Sequence, residues 1–113
     1  MGTSINCICK NNIASALKSR DVFAGLAETF QALGDCSRVR IVWALSKGER
    51  SVGDIARLVD MSQPCVSHHL RTLRNLRLVK AKREGRTVFY SLDDGHIENI
   101  LKECVRHVEA HGS

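Results

Sequence analysis

Asp94, His96 and His107 carry side chains that bind divalent metal ions, and their spacing decides how they could do so. His96 and His107 stand eleven positions apart, about three turns at roughly 3.6 residues per turn, so both imidazoles project from one helix face. At about 1.5 Å per residue they sit about 16 Å apart along the axis, so one helix does not close a single site with them. Two antiparallel copies do. Asp94 and His96 at the start of one helix then meet His107 near the end of the other. Neutral imidazole and carboxylate suit zinc, cobalt or nickel, and zinc bonds of about 2.0–2.2 Å demand tight convergence. The spacing points to a symmetric dimer with ligands shared between subunits. The plainer reading makes these residues the polar rim of an interfacial helix, with Asp94 as its N-cap.

The helix that must carry them starts near Asp93 or Asp94. Ile97, Ile100, Leu101, Cys104, Val105 and Val108 form its apolar stripe, in which Cys104 reads as a small core hydrophobe. Projected at about 100° per residue, His96, His107 and His111 fall within roughly 60° along one edge of that stripe. Glu109 points away, so His111 is the geometric choice for a fourth protein ligand.

Upstream, residues 1–10 lack an amphipathic period and read as a flexible arm carrying Cys7 and Cys9. Residues 11–113 read as a single domain. Val22, Phe23, Leu26, Ala27, Phe30 and Leu33 trace a first helical stripe, ended by Gly34. Asp35 caps a second helix through Ile41, Val42 and Leu45, which Gly48 closes. Ser51 opens a short helix, with Asp54 three residues on as in a capping box. Ser62 caps a further helix through about Asn75, with Pro64 tolerated in its first turn. Two short helices joined by a brief turn make a helix-turn-helix. Leu78–Lys82 and Thr87–Leu92 then flank Arg83-Glu84-Gly85-Arg86, a β-hairpin with Gly85 at its tip. The pattern is mainly α with a β-hairpin wing (α+β): a winged helix-turn-helix.

A chain of 113 residues makes one domain with a modest core that gains stability by dimerising. No apolar run is long enough for a transmembrane helix, and no secretory signal is visible. Five cysteines without framework spacing fit a reducing cytoplasm. The net charge is +5, and Arg71, Arg74, Arg77, Lys80, Lys82, Arg83 and Arg86 crowd one stretch, opposed there by Glu84. That field favours phosphate. Ser67 and His68 are neighbours on a helix rather than a nucleophile–base pair, so catalysis is not expected.

Ala32-Leu33-Gly34-Asp35, Arg38, Ser51-Val52-Gly53-Asp54-Ile55 and Val66-Ser67-His68-His69-Leu70 together resemble the ArsR/SmtB family. Leu78–Arg83 and Tyr90–Asp94 extend the similarity, which covers about residues 22–111. The resemblance implies a dimeric, metal-responsive winged-helix repressor, nearest the zinc- and cobalt-sensing branch. Its effector would be Zn(II), with Co, Cd or Pb as alternatives. Asp94, His96 and His107 match that branch's ligand pattern, but Ala110 stands at the fourth position. His111, water or a weakened site are the options there. A second family site would use the arm's Cys7 and Cys9 with Asp54, although Ser51 and Gly53 replace the neighbouring cysteines.

For DNA, the family places base contacts at Gln63, Ser67 and His68, with His69 as a neighbour. Arg71, Arg74, Lys82, Arg83 and Arg86 would hold phosphates and set register. A two-fold dimer implies an inverted-repeat operator on double-stranded DNA, with no membrane partner and no small organic substrate. The competing expectation is a repressor driven by thiol oxidation or a soft metalloid, using Cys36, Cys104 or the arm. A DNA-binding protein without a ligand is the third.

Overall fold

The computed structural model describes residues 17–112, so the arm cysteines Cys7 and Cys9 lie outside the described residues. Helix α1 (Arg20–Leu33) begins where Ser19 Oγ accepts the Val22 N–H at 3.3 Å. Helix α2 (Cys36–Leu45) begins at Asp35, whose carboxylate accepts the Arg38 N–H at 3.0 Å. Each cap satisfies a backbone donor that the first turn leaves without an intrahelical partner. Ser51 does two jobs at once. Its extended backbone pairs with Phe89 in the short strand β1 (Arg50–Ser51), and its hydroxyl caps α3 (Val52–Val59). Asp60 then turns left-handed (φ 56°), and Ser62 caps α4 (Gln63–Asn75).

Strands β2 (Val79–Glu84) and β3 (Thr87–Leu92) form the hairpin, with Val79 opposite Leu92 and Glu84 opposite Thr87. The pairing runs further than the sequence indicates. Arg83 and Glu84 join the ladder, and the connection shrinks to Gly85-Arg86, with Gly85 at φ +64°. Only glycine takes that conformation without a Cβ penalty of about 1 kcal/mol. Strand β1 adds to the other edge of β3, giving the antiparallel order β1-β3-β2. A two-residue strand has no alternation to read, so the sequence leaves it invisible. Helix α5 (Gly95–Ala110) closes the described chain.

The core lies between α2, α3, α4 and the base of the wing. Ile41, Ile55, Leu70 and Leu73 are almost completely buried there, and each contributes about 1.5–3 kcal/mol of hydrophobic burial. Neither the α1 stripe nor the α5 stripe joins this core in full. Leu101 is the buried residue of α5, whereas Val22, Phe23, Leu26, Phe30, Ile100 and Val108 are 40–53% exposed. Cys104 is exposed as well, which corrects its assignment to the core. The reason is geometric. Leu101 and Ile97 meet the body, and the Ile100–Cys104–Val108 edge turns toward α1 and away from it. That edge and α1 bound an open apolar groove of about 470 Å³.

Candidate metal centre and nucleic-acid interface

Helix α5 holds its candidate ligands as two pairs, one at each end. At the N-terminus Asp94 is the cap, and its Oδ1 accepts the His96 N–H at 2.9 Å. The same oxygen lies 3.2 Å from His96 Nδ1. The backbone N–H of His96, then its imidazole, hold the Asp94 carboxyl below its ordinary value. It is therefore an anion at neutral pH. At the C-terminus the His107 and His111 rings lie 4.4 Å apart, and His111 Nδ1 sits 2.8 Å from the His107 carbonyl. His111 is the C-cap of the helix.

Within one protomer the two pairs stay apart, and among the described residues no three His, Cys, Asp or Glu side chains converge on one point. The donor set at each end, carboxylate with imidazole or imidazole with imidazole, suits a borderline divalent cation. Glu109 lines the groove beside α1 and, with Val105, a second pocket against α2 and α3.

The second set of predicted ligands looks different. Asp54 forms an ion pair with Arg57 one turn along α3. Cys36, Cys65 and Cys104 are exposed free thiols.

Helix α4 projects from the body as the second helix of the helix-turn-helix. Val66, Leu70 and Leu73 bury its inner face, while Gln63, Ser67, His68, Arg71 and Arg74 line its exposed side. Spacing of three or four residues keeps the buried set on one stripe and frees the polar set. His69 stands apart from the exposed set. It is half-buried, and its Nδ1 accepts from Arg38 Nε at 3.2 Å, which turns the ring toward α2.

On the wing, Arg83 and Arg86 are exposed, and Lys82 pairs with Glu84 at 3.0 Å. That hydrogen bond and the charge of Glu84 raise the Lys82 pKa. The sequence signal for this pair was present, since residues two apart on a strand share a face. The Arg38–His69 bond had no such signal, because 31 residues separate the partners. Arg77 is exposed with a left-handed backbone (φ 60°) at the turn between α4 and β2.

Among the described residues no helix is long and apolar enough to cross a membrane.

Comparison with known proteins falls on the same segments. A family model described as bacterial regulatory protein, arsR family, matches residues 35–81, from the α2 cap to the start of the wing. A transcriptional repressor SmtB homolog of Synechocystis sp. is 45% identical over 91 residues, spanning 80% of this chain and 69% of that protein. A cadmium resistance transcriptional regulatory protein CadC homolog of Staphylococcus aureus is 42% identical over 83 residues, spanning 73% and 69%. Among solved structures, the homodimeric winged helix-turn-helix DNA-binding domain of a Mycobacterium bovis protein superposes with a TM-score of 0.76. It is 26% identical and covers 83% of this chain and 90% of its own.

Proposed function

Because the chain belongs to the arsR family of bacterial regulatory proteins, a family of DNA-binding transcriptional regulators rather than enzymes, we propose that it is a homodimeric repressor released from its operator by a divalent metal ion. The observation that carries this reading is the split of α5's ligands into Asp94 with His96 at one end and His107 with His111 at the other. A shared site needs a second copy running antiparallel, and the exposed apolar faces of α1 and α5 give that copy a surface to bury.

The effector is Zn(II) or a cation of similar preference, Co, Cd or Pb. Bound there, it would supply a crosslink between the last helices of the two protomers. Asp94, His96 and His107 are the proposed ligands, and His111 takes the place that Ala110 leaves without a donor. Cys7 and Cys9 with Asp54 are retained as a weaker second site, for which Asp54 would first have to leave Arg57.

On DNA, Gln63, Ser67 and His68 are the proposed base readers, since they are the exposed polar residues at the start of α4. Arg71, Arg74, Lys82, Arg83 and Arg86 hold phosphates. The operator is an inverted repeat, and the regulated gene serves metal efflux or resistance, in the cytoplasm. Release requires that metal bind the DNA-free shape more tightly than the DNA-bound one.

An anaerobic cobalt(II) titration of the reduced full-length protein tests the site. Intense ligand-field bands without a thiolate charge-transfer band are expected. A strong thiolate band would instead move the metal to the cysteines and turn the reading toward a soft-metal sensor.

A further inference from the structure

Arg38 touches three elements at once. Its backbone N–H is held by Asp35 at the start of α2, its Nη1 donates to the Ala32 carbonyl of α1 at 3.4 Å, and its Nε donates to His69 Nδ1 on α4 at 3.2 Å. All three bonds are partly buried, and Arg38 also lines a cleft of about 310 Å³ together with Ala32 of α1 and Thr72 of α4. Acceptance at Nδ1 puts the neutral ring's proton on Nε2 and spends the inward nitrogen on Arg38. Helix α1 carries much of the exposed apolar face, and α4 carries the exposed base-reading side.

We propose that Arg38 and His69 form a strut that fixes the recognition helix against the dimerisation helix, so that His69 is a positioning residue for DNA binding and not a reader of bases. The inference rests on α4 being the recognition helix. An operator with two half-sites is bound well only if both recognition helices sit at the right separation and tilt. Those quantities are set by how α4 is held relative to the seam. A planar guanidinium with several fixed donors suits this task, because it ties two elements without freedom to rotate. Lysine at position 38 would keep the charge and lose the fork.

The test uses the full-length dimer and a duplex that the wild-type protein selects from a randomised pool, with a random-sequence duplex as control. Arg38→Ala and His69→Ala each weaken binding to the selected duplex about tenfold, the scale of one charge-assisted hydrogen bond. The double variant loses no more than either single one, because both changes cut the same strut. His69→Asn, whose Oδ1 accepts from nearly the same place as Nδ1, restores most of the loss. Binding to the random duplex stays unchanged throughout. If Arg38→Ala proves too unstable to study, Arg38→Lys takes its place, with melting temperature recorded for every variant.

Additive losses would overturn the strut, and so would a new base preference selected by His69→Ala alone. A full loss that His69→Asn fails to restore would do the same. If the wild-type protein selects no duplex at all, the recognition-helix reading fails first and the strut with it.

Discussion

Replacing His107 with alanine should separate metal response from DNA binding. His107 is exposed in the last turn of α5, and its ring stacks at 4.4 Å on His111. The bond from His111 Nδ1 goes to the His107 carbonyl, which the substitution keeps. Truncation there therefore costs little stability, about 0.5 kcal/mol or less for an exposed side chain. Position 107 is also in the last turn of α5, at the end opposite the one that follows β3, so metal-free operator affinity should stay within about twofold of wild type.

The metal response behaves differently. Coupling free energies of this kind are typically about 1–3 kcal/mol, so saturating zinc should weaken wild-type operator binding roughly 5- to 150-fold. Without His107 the C-terminal pair supplies one imidazole in place of two, and the crosslink between helices loses half of that end's donors. The zinc effect should then collapse to about twofold or less at the free zinc concentration that saturates the wild type. Fluorescence anisotropy of a labelled operator duplex in zinc-buffered solution measures both quantities on one sample. Arg71→Ala is the control, since losing a phosphate contact lowers affinity equally with and without zinc. Zinc-induced release retained by His107→Ala at wild-type strength would refute the shared α5 site.

Asp94→Asn should flatten the acid limb of the stability curve. The folded-state carboxyl sits below its ordinary value of 3.8, so its contribution is present above that value and is lost as pH falls through the lowered one. Asparagine caps a helix as well as aspartate without titrating, so melting temperature followed from pH 5 downward should fall less steeply in the variant. Glu84→Gln should strengthen operator binding severalfold at about 0.1 M salt and steepen the salt dependence by about one unit. The change frees Lys82 from its 3.0 Å ion pair, and a titration across salt concentrations reads the slope.

The parts of the fold legible in the sequence are those with a period or a cap. Asp35, Ser51, Ser62 and Asp94 each stand one residue before a helix and accept one of its free N–H groups, as their side-chain chemistry dictates. The hairpin was legible from alternation on both sides of Gly85. Burial on α5 was not. Its apolar stripe reads the same whether it faces the protomer's own core or a second copy, and the structure divides it, with Leu101 buried inward and Ile100, Cys104 and Val108 left open. The DNA side shows the same limit. His68 and His69 are adjacent identical residues, and the helix alone sends one outward and the other toward Arg38. Local sequence has no way to express a bond across 31 residues.

Those two blind spots lie on the same route through the molecule. The open edge of α5 and the stripe of α1 are the surfaces that a second copy would cover, and α5 reaches the protomer's core through the buried Leu101. An element held this lightly shifts at small cost, whereas α4 is anchored by Val66, Leu70 and Leu73 deep in the core. A metal ion acting at the ends of α5 would therefore move the seam more readily than it distorts the reading head. Arg38, with bonds to Ala32 and His69, joins α1 to α4 and gives such a displacement a rigid route toward DNA. If the strut carries the response, Arg38→Ala should reduce zinc-induced release as well as affinity, while zinc binding itself, read by cobalt competition, stays at the wild-type level. A variant that binds DNA weakly yet still releases it with the full wild-type ratio would place the coupling elsewhere, in α2 and the wing.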